Sequence, residues 1–151
     1  MIKTDRLIIR EFTADDVELT YLYSIEESRR NGIPNEVYDS IEHAAEVVEY
    51  ILSMYKTDTI PHVLAIEMGG KYIGHISVSE IPQGVEIGYA ICEAHQGNGY
   101  ATEAVIAYCK WAKAKFGIET LYGITLPGNT ASQKVLMKSG FTLIENNLFK
   151  L

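Results

Sequence analysis

Apolar residues in this chain change their spacing along its length, and that change limits the fold more than any other feature. In the first third they recur at helical spacing: Val17, Tyr21, Leu22 and Ile25, then Ile41, Ala44, Ala45, Val48, Ile51, Leu52 and Tyr55. From His62 to Ile91 the period falls to two, the period of strands. Helical spacing returns at Ala101, Ala104, Val105, Tyr108, Trp111 and Ala112. A chain that carries both periods in turn is neither a helical bundle nor a pure β-barrel. It predicts a sheet with helices laid on its faces.

Local signals place the elements. Leu7-Ile8-Ile9 with Arg10 and Phe12 reads as a first strand. Thr13 and Asp16 form a capping box that opens a helix running to about Arg29, and Asn31 to Asn35 is a loop. Ser40 caps a second helix that stops near Lys56. His62 to Glu67 and Lys71 to Ser79 are strands joined at Gly69-Gly70, and Val85 to Ile91 completes an antiparallel meander. A third helix runs to about Phe116 and ends at Gly117. Thr120 to Leu126 is a strand, Asn129 to Ser139 a short helix, Phe141 to Glu145 a strand, and Leu148 to Leu151 a last one. The expected class is α/β of the α+β type: a mixed, mostly antiparallel sheet flanked by about four helices, in a single domain over residues 1–151.

Composition narrows the function. Thirteen basic against 20 acidic residues give a net charge of −7, which argues against a nucleic-acid partner. The longest apolar run, Ala104 to Cys109, is far short of a membrane span. No signal-peptide pattern follows Met1, so the expected location is cytoplasmic, with no membrane partner. Cys92 and Cys109 form no disulfide framework and read as buried apolar fillers with no base nearby. His43, His62, His75 and His95 have no metal-ligand spacing, so no metal is expected.

The most informative segment joins the strand Val85-Glu86-Ile87-Gly88-Tyr89-Ala90-Ile91 to the turn Gln96-Gly97-Asn98-Gly99, which opens the long helix. Such a turn points successive backbone N–H groups at one spot, and the helix N-terminus adds partial positive charge there. The pattern reads as an anion cradle, with a purely structural glycine turn as the alternative. It fits neither a Walker loop nor a dinucleotide fingerprint, because no Lys-Ser or Lys-Thr follows and no third glycine stands three positions after Gly99.

Gln96-Gly97-Asn98-Gly99-Tyr100-Ala101 resembles the pyrophosphate loop of the GNAT superfamily of acyl-CoA-dependent N-acetyltransferases. Three further segments resemble its RimJ/RimL-type branch: Thr4-Asp5-Arg6-Leu7-Ile8-Ile9-Arg10, Glu86-Ile87-Gly88-Tyr89, and Pro127-Gly128-Asn129-Thr130-Ala131-Ser132 continuing to Lys138-Ser139-Gly140-Phe141. They lie in the family's order across nearly the whole chain.

The resemblance implies an enzyme that moves acetyl from acetyl-CoA to a primary amine by direct attack in a ternary complex, releasing CoA. The acceptor would be a protein N-terminal α-amine or a small-molecule amine, and a non-catalytic CoA-binding module is the rival. Acetyl-CoA would lie where a splayed central strand pair opens, along Ile87, Gly88, Tyr89, Ala90 and Ile91. The loop and helix start, Gln96, Gly97, Asn98, Gly99, Tyr100, Ala101 and Thr102, would hold the pyrophosphate. Asn129 would meet the pantetheine arm, and Ser132 would sit near the sulfur and stabilise the departing thiolate. Glu86 is the expected general base, with His75 as a rival. The acceptor wall would come from the first two helices and the loop Arg29 to Ser40, with Tyr21, Ile33 and Tyr38, beside Glu86. A monomer or homodimer is expected. Asn98 stands where relatives often carry a basic residue, which implies a weaker phosphate contact. Ala90 replaces a bulkier aromatic, which implies a roomier acceptor side.

Overall fold

The computed structural model describes residues 1–151. Its eight strands form one sheet: β1 (Ile2–Lys3), β2 (Ile8–Arg10), β3 (His62–Met68), β4 (Lys71–Ile81), β5 (Gly84–Ile91), β6 (Leu121–Ile124), β7 (Thr142–Glu145) and β8 (Leu148–Lys150). Their order across the sheet is β1-β2-β3-β4-β5-β6-β8-β7, and every neighbouring pair is antiparallel except β5 and β6. The helices are α1 (Val17–Ser24), α2 (Glu27–Gly32), α3 (Ile41–Met54), α4 (Tyr100–Phe116) and α5 (Thr130–Lys138). No helix is long and apolar enough to cross a membrane.

Local chemistry accounts for most boundaries. Ser40 Oγ accepts the His43 N–H at 3.1 Å and starts α3. Gly117 leaves α4 at φ 67°, a left-handed conformation that favours glycine. Asp16 Oδ2 accepts the Thr13 N–H at 2.8 Å, as the capping box requires, although the turn it opens is a 3-10 turn over Ala14–Asp16. Arg10 then ties this turn to the sheet, meeting Asp16 at 2.8 Å and Glu67 at 2.6 Å.

Two expectations are corrected. The single first helix is two, α1 and α2, so there are five helices rather than about four. The break follows from a distant residue: Glu93 Oε1 accepts the Ser28 N–H at 2.8 Å, while Glu26 Oε1 accepts the Glu93 N–H at 3.1 Å. Glu26 is thereby held extended as the N-cap of α2. The expected loop Asn31 to Asn35 is shorter than drawn, because α2 runs to Gly32 and Pro34–Glu36 forms a 3-10 turn. The strand β1 carries no sequence signal of its own and exists by pairing Ile2 with Ile9.

The core lies on both faces of the sheet. Ile9, Ile66, Ile73, Ile76, Val78 and Leu121 are fully buried in strands, and Val48 of α3 and Tyr108 of α4 close on them. The β5–β6 pairing covers only Val85 to Ile87 against Leu121 to Gly123, while β5 stays paired with β4 as far as Ile91. The sheet therefore opens between β5 and β6 beyond Ile87.

Candidate functional site

The opening has a defined lining. Cys92 donates its N–H to the Ile73 carbonyl of β4 at 2.8 Å. By strand alternation, the backbone groups of Tyr89 and Ile91 then turn the other way, into the gap left by β6. Gln96 Nε2 occupies the Ile91 carbonyl at 2.8 Å from that side. Gln96 thus acts here as a brace between β5 and the loop.

Beyond β5 the chain makes the glycine turn that the sequence offers as an anion cradle. Gly97 and Gly99 sit at φ 77° and 80°, and Gly99 is the N-cap of α4. The backbone N–H groups of Gly97 through Thr102 donate no hydrogen bond within the protein. A row of unpaired donors at a helix N-terminus fits a diphosphate. Asn98 spends its side chain locally, donating to the Gln96 carbonyl at 3.1 Å. A cation reaches the loop from elsewhere: Arg6 Nη1 donates to the Asn98 carbonyl at 2.9 Å, and its guanidinium lies 4.5 Å over the Tyr100 ring. Glu103 anchors it at 2.7 Å and also accepts from Thr4 at 2.6 Å. Burial would raise the Glu103 carboxyl, but Thr4 and Arg6 together hold it below the usual carboxylate range.

The other wall of the gap is α5. Asn129 caps this helix, its Oδ1 accepting the Ser132 N–H at 3.1 Å. That leaves the Ser132 hydroxyl free of capping duty. It lies 2.9 Å from Tyr89 Oη, and the Tyr89 hydroxyl also donates to the Ser132 carbonyl at 3.2 Å. Burial pushes the Tyr89 phenol up to about 12, against the lowering effect of the Ser132 contact. The Tyr89 phenol was missed from sequence, where only its backbone was assigned. The close approach of α5 depends on Gly123 of β6, where a Cβ would lie 2.8 Å from both Leu136 methyls.

Glu86 pairs across β4 with Ser79, as Gly88 does with Ser77 and Ala90 with His75. Directly paired residues share a face, so Glu86 looks to the same side as Ser77 and His75, opposite to Ile87 and Tyr89. It is half-buried with no partner, and burial alone raises its carboxyl above the usual range.

His75 and Ser77 floor a cavity of about 240 Å³ between β3, β4, α1 and α3. Tyr38 lines it, whereas Tyr21 and Ile33 do not. His75 Nε2 lies 2.9 Å from Glu36 Oε2, an oxygen with no hydrogen bond of good geometry. Burial would raise the Glu36 carboxyl, but His75 and then Arg29 hold it below the carboxylate range. His75 is therefore engaged with Glu36. Glu36 and Arg29 were missed, although the rigid Pro34 turn in the Arg29 to Ser40 segment marked where they would be presented. The thiols Cys92 and Cys109 are buried, and burial raises both, Cys109 to about 12. Cys92 does have a base nearby, contrary to the sequence reading, since His95 Nδ1 lies 3.1 Å from its Sγ.

Known proteins match this chain in sequence and in fold. The acetyltransferase (GNAT) domain model matches residues 6–142. An uncharacterised N-acetyltransferase of Bacillus subtilis, YoaA, is 28% identical over 148 residues, spanning 93% of this chain and 82% of its own. The crystal structure of an acetyltransferase from Agrobacterium tumefaciens superposes with a TM-score of 0.81 at 25% identity, covering 99% of this chain and 92% of that one. RimL, a ribosomal L7/L12 α-N-protein acetyltransferase solved with coenzyme A, superposes at 0.83 with 16% identity, covering 98% and 94%.

Proposed function

The chain belongs to the GNAT acetyltransferases, enzymes that use acetyl-CoA, and from that premise we propose that it acetylates the α-amine of a protein N-terminus by direct attack in a ternary complex. The observation that carries this reading is Glu86, a half-buried carboxylate with no partner, on the strand whose backbone edge opens into the β5–β6 gap. An α-amine with a pKa near ~7.7–8.0 needs only a modest base, and a carboxylate acting through one water suffices. The fold likeness to RimL supports the same acceptor class.

Acetyl-CoA, when bound, supplies the acetyl group as a thioester. The unpaired N–H groups of Gly97 through Thr102 would hold its diphosphate, and Asn129, the cap of α5, would meet the pantetheine arm. The Tyr89 and Ile91 backbone groups turned into the gap are donors for charge that builds on a carbonyl oxygen. Glu86 takes the amine proton through water. The Ser132 hydroxyl, positioned by Tyr89, turns its O–H from that contact to donate to the departing sulfur. Tyr38 would meet the acceptor in the cavity, with Tyr21 and Ile33 reached only by a part of it that extends beyond the cavity.

A small-molecule amine is the second reading, favoured by the 240 Å³ cavity on the Glu86 face. Acetyl-CoA turnover over N-terminal peptides and small amines separates the two. Unchanged turnover in both Glu86→Gln and Ser132→Ala would overturn the catalytic assignment.

A further inference from the structure

Arg29 is the most unusual side chain of the cavity. It rises from α2 with only 5% of its side chain exposed. A guanidinium carries five N–H donors and is rarely buried unless paired. Here it donates no hydrogen bond, and its one charged neighbour is Glu36 Oε2 at 3.8 Å, beyond hydrogen-bond reach. Glu36 is already held closer by His75, at 2.9 Å. One carboxylate is thus shared between two basic groups, and the Arg29 donors remain open toward the cavity they line.

Thr20, Glu36, His75 and Ser77 also line the cavity, and the remaining lining is mostly apolar. Phe12, Val47, Ile51, Met54, Val63 and Tyr72 form its walls. Its floor residues His75 and Ser77 stand directly opposite Ala90 and Gly88 of β5, about one strand spacing, ~4.8 Å, from the strand that borders the gap. A ligand in the cavity and a group reacting at β5 can therefore belong to one molecule.

We propose that this cavity binds a carboxylate carried by the acceptor, with Arg29 as its receptor and the apolar walls holding the body next to it. The proposal rests on the acetyltransferase reading for the word acceptor. A planar carboxylate matches the Arg fork in a way that a neutral amide does not. The carboxylate can come from a free amino acid or from an acidic first side chain of a peptide, and the two sources are separable. Arg29 is here a specificity-determining residue, remote from proton transfer.

The test is titration calorimetry on CoA-saturated protein with matched pairs, run beside acetyl-CoA turnover on the same pairs. One pair is L-phenylalanine against phenethylamine, and the other is an Asp-initiated tripeptide against its Asn counterpart. The carboxylate-bearing member of at least one pair is expected to bind about tenfold tighter, and the pair that does so identifies the source. Arg29→Gln should erase that preference while leaving CoA binding intact, and Arg29→Lys should keep part of it. Equal binding within both pairs, or a preference that survives Arg29→Gln, overturns the proposal. If Arg29→Gln fails to fold, the wild-type pairs decide alone. Carboxylate-selective binding without turnover on any amine would keep the site and instead defeat the acetylation reading.

Discussion

Tyr89 Oη lies 2.9 Å from Ser132 Oγ, so a phenol on β5 fastens the strand to the first turn of α5 across the gap between them. The Ser132 N–H is satisfied by Asn129, so Tyr89 is the one protein partner of the hydroxyl. If the pair acts as one unit at the leaving group, Ser132→Ala and Tyr89→Phe each lower kcat by about 10²-fold, the low end for acid–base assistance. The double variant should lose little more than the worse single, because the two act in series. Steady-state kinetics on the four proteins measures this, and full additivity would separate the two roles.

Gly123 controls how close α5 comes. Adding a methyl group there meets Leu136 at 2.8 Å, and neither the strand nor the buried leucine can yield freely. Gly123→Ala should cost about 1–3 kcal/mol of stability, typical of overpacking. It should also reduce kcat by moving Ser132 away from the gap. Denaturant unfolding together with turnover checks both parts.

Glu86 sets stability against activity. Its carboxyl is raised by burial, so the folded state disfavours the charged form. The sign follows: stability is lost as pH rises from the unfolded pKa near ~4.3 through the raised folded value, and the loss persists above it. Glu86→Gln removes this loss and should raise Tm at pH 7 while lowering turnover. The acidic limb of the wild-type pH–rate profile should lie above the ordinary glutamate range and vanish in the variant. A lower Tm in Glu86→Gln would contradict the account.

Gly99 holds a left-handed φ of 80° at the start of α4. Gly99→Ala should cost about 1 kcal/mol for that conformation. A Cβ there also lies 3.4 Å from Arg6 Nη2, in contact with the cation that braces the loop. The KM for acetyl-CoA should rise more than kcat falls, and calorimetric titration with CoA reads the same loss directly.

The sequence disclosed what local chemistry decides. The Ser40 cap, the Gly69-Gly70 hairpin, the Gly117 stop and the Gly97-x-Gly99 turn are each specified within a few residues, and all stand where expected. Features made by distant contacts were hidden. The break between α1 and α2 depends on Glu93, 65 residues from Ser28. The Tyr89–Ser132 contact spans 43 positions, and β1 exists only against Ile9. No local signal links Arg29 or Glu36 to His75, and only the fold brings the three together.

The most direct measurement is acetyl transfer itself. The protein is incubated with acetyl-CoA and a peptide bearing a free α-amine, with the Nα-blocked peptide as control, and both CoA release and product mass are followed. The account predicts one CoA released per acetyl group placed on the α-amine, no transfer to the blocked peptide, and large losses in Glu86→Gln and Ser132→Ala. Transfer that ignores the blocking group, or that survives both substitutions unchanged, would contradict it.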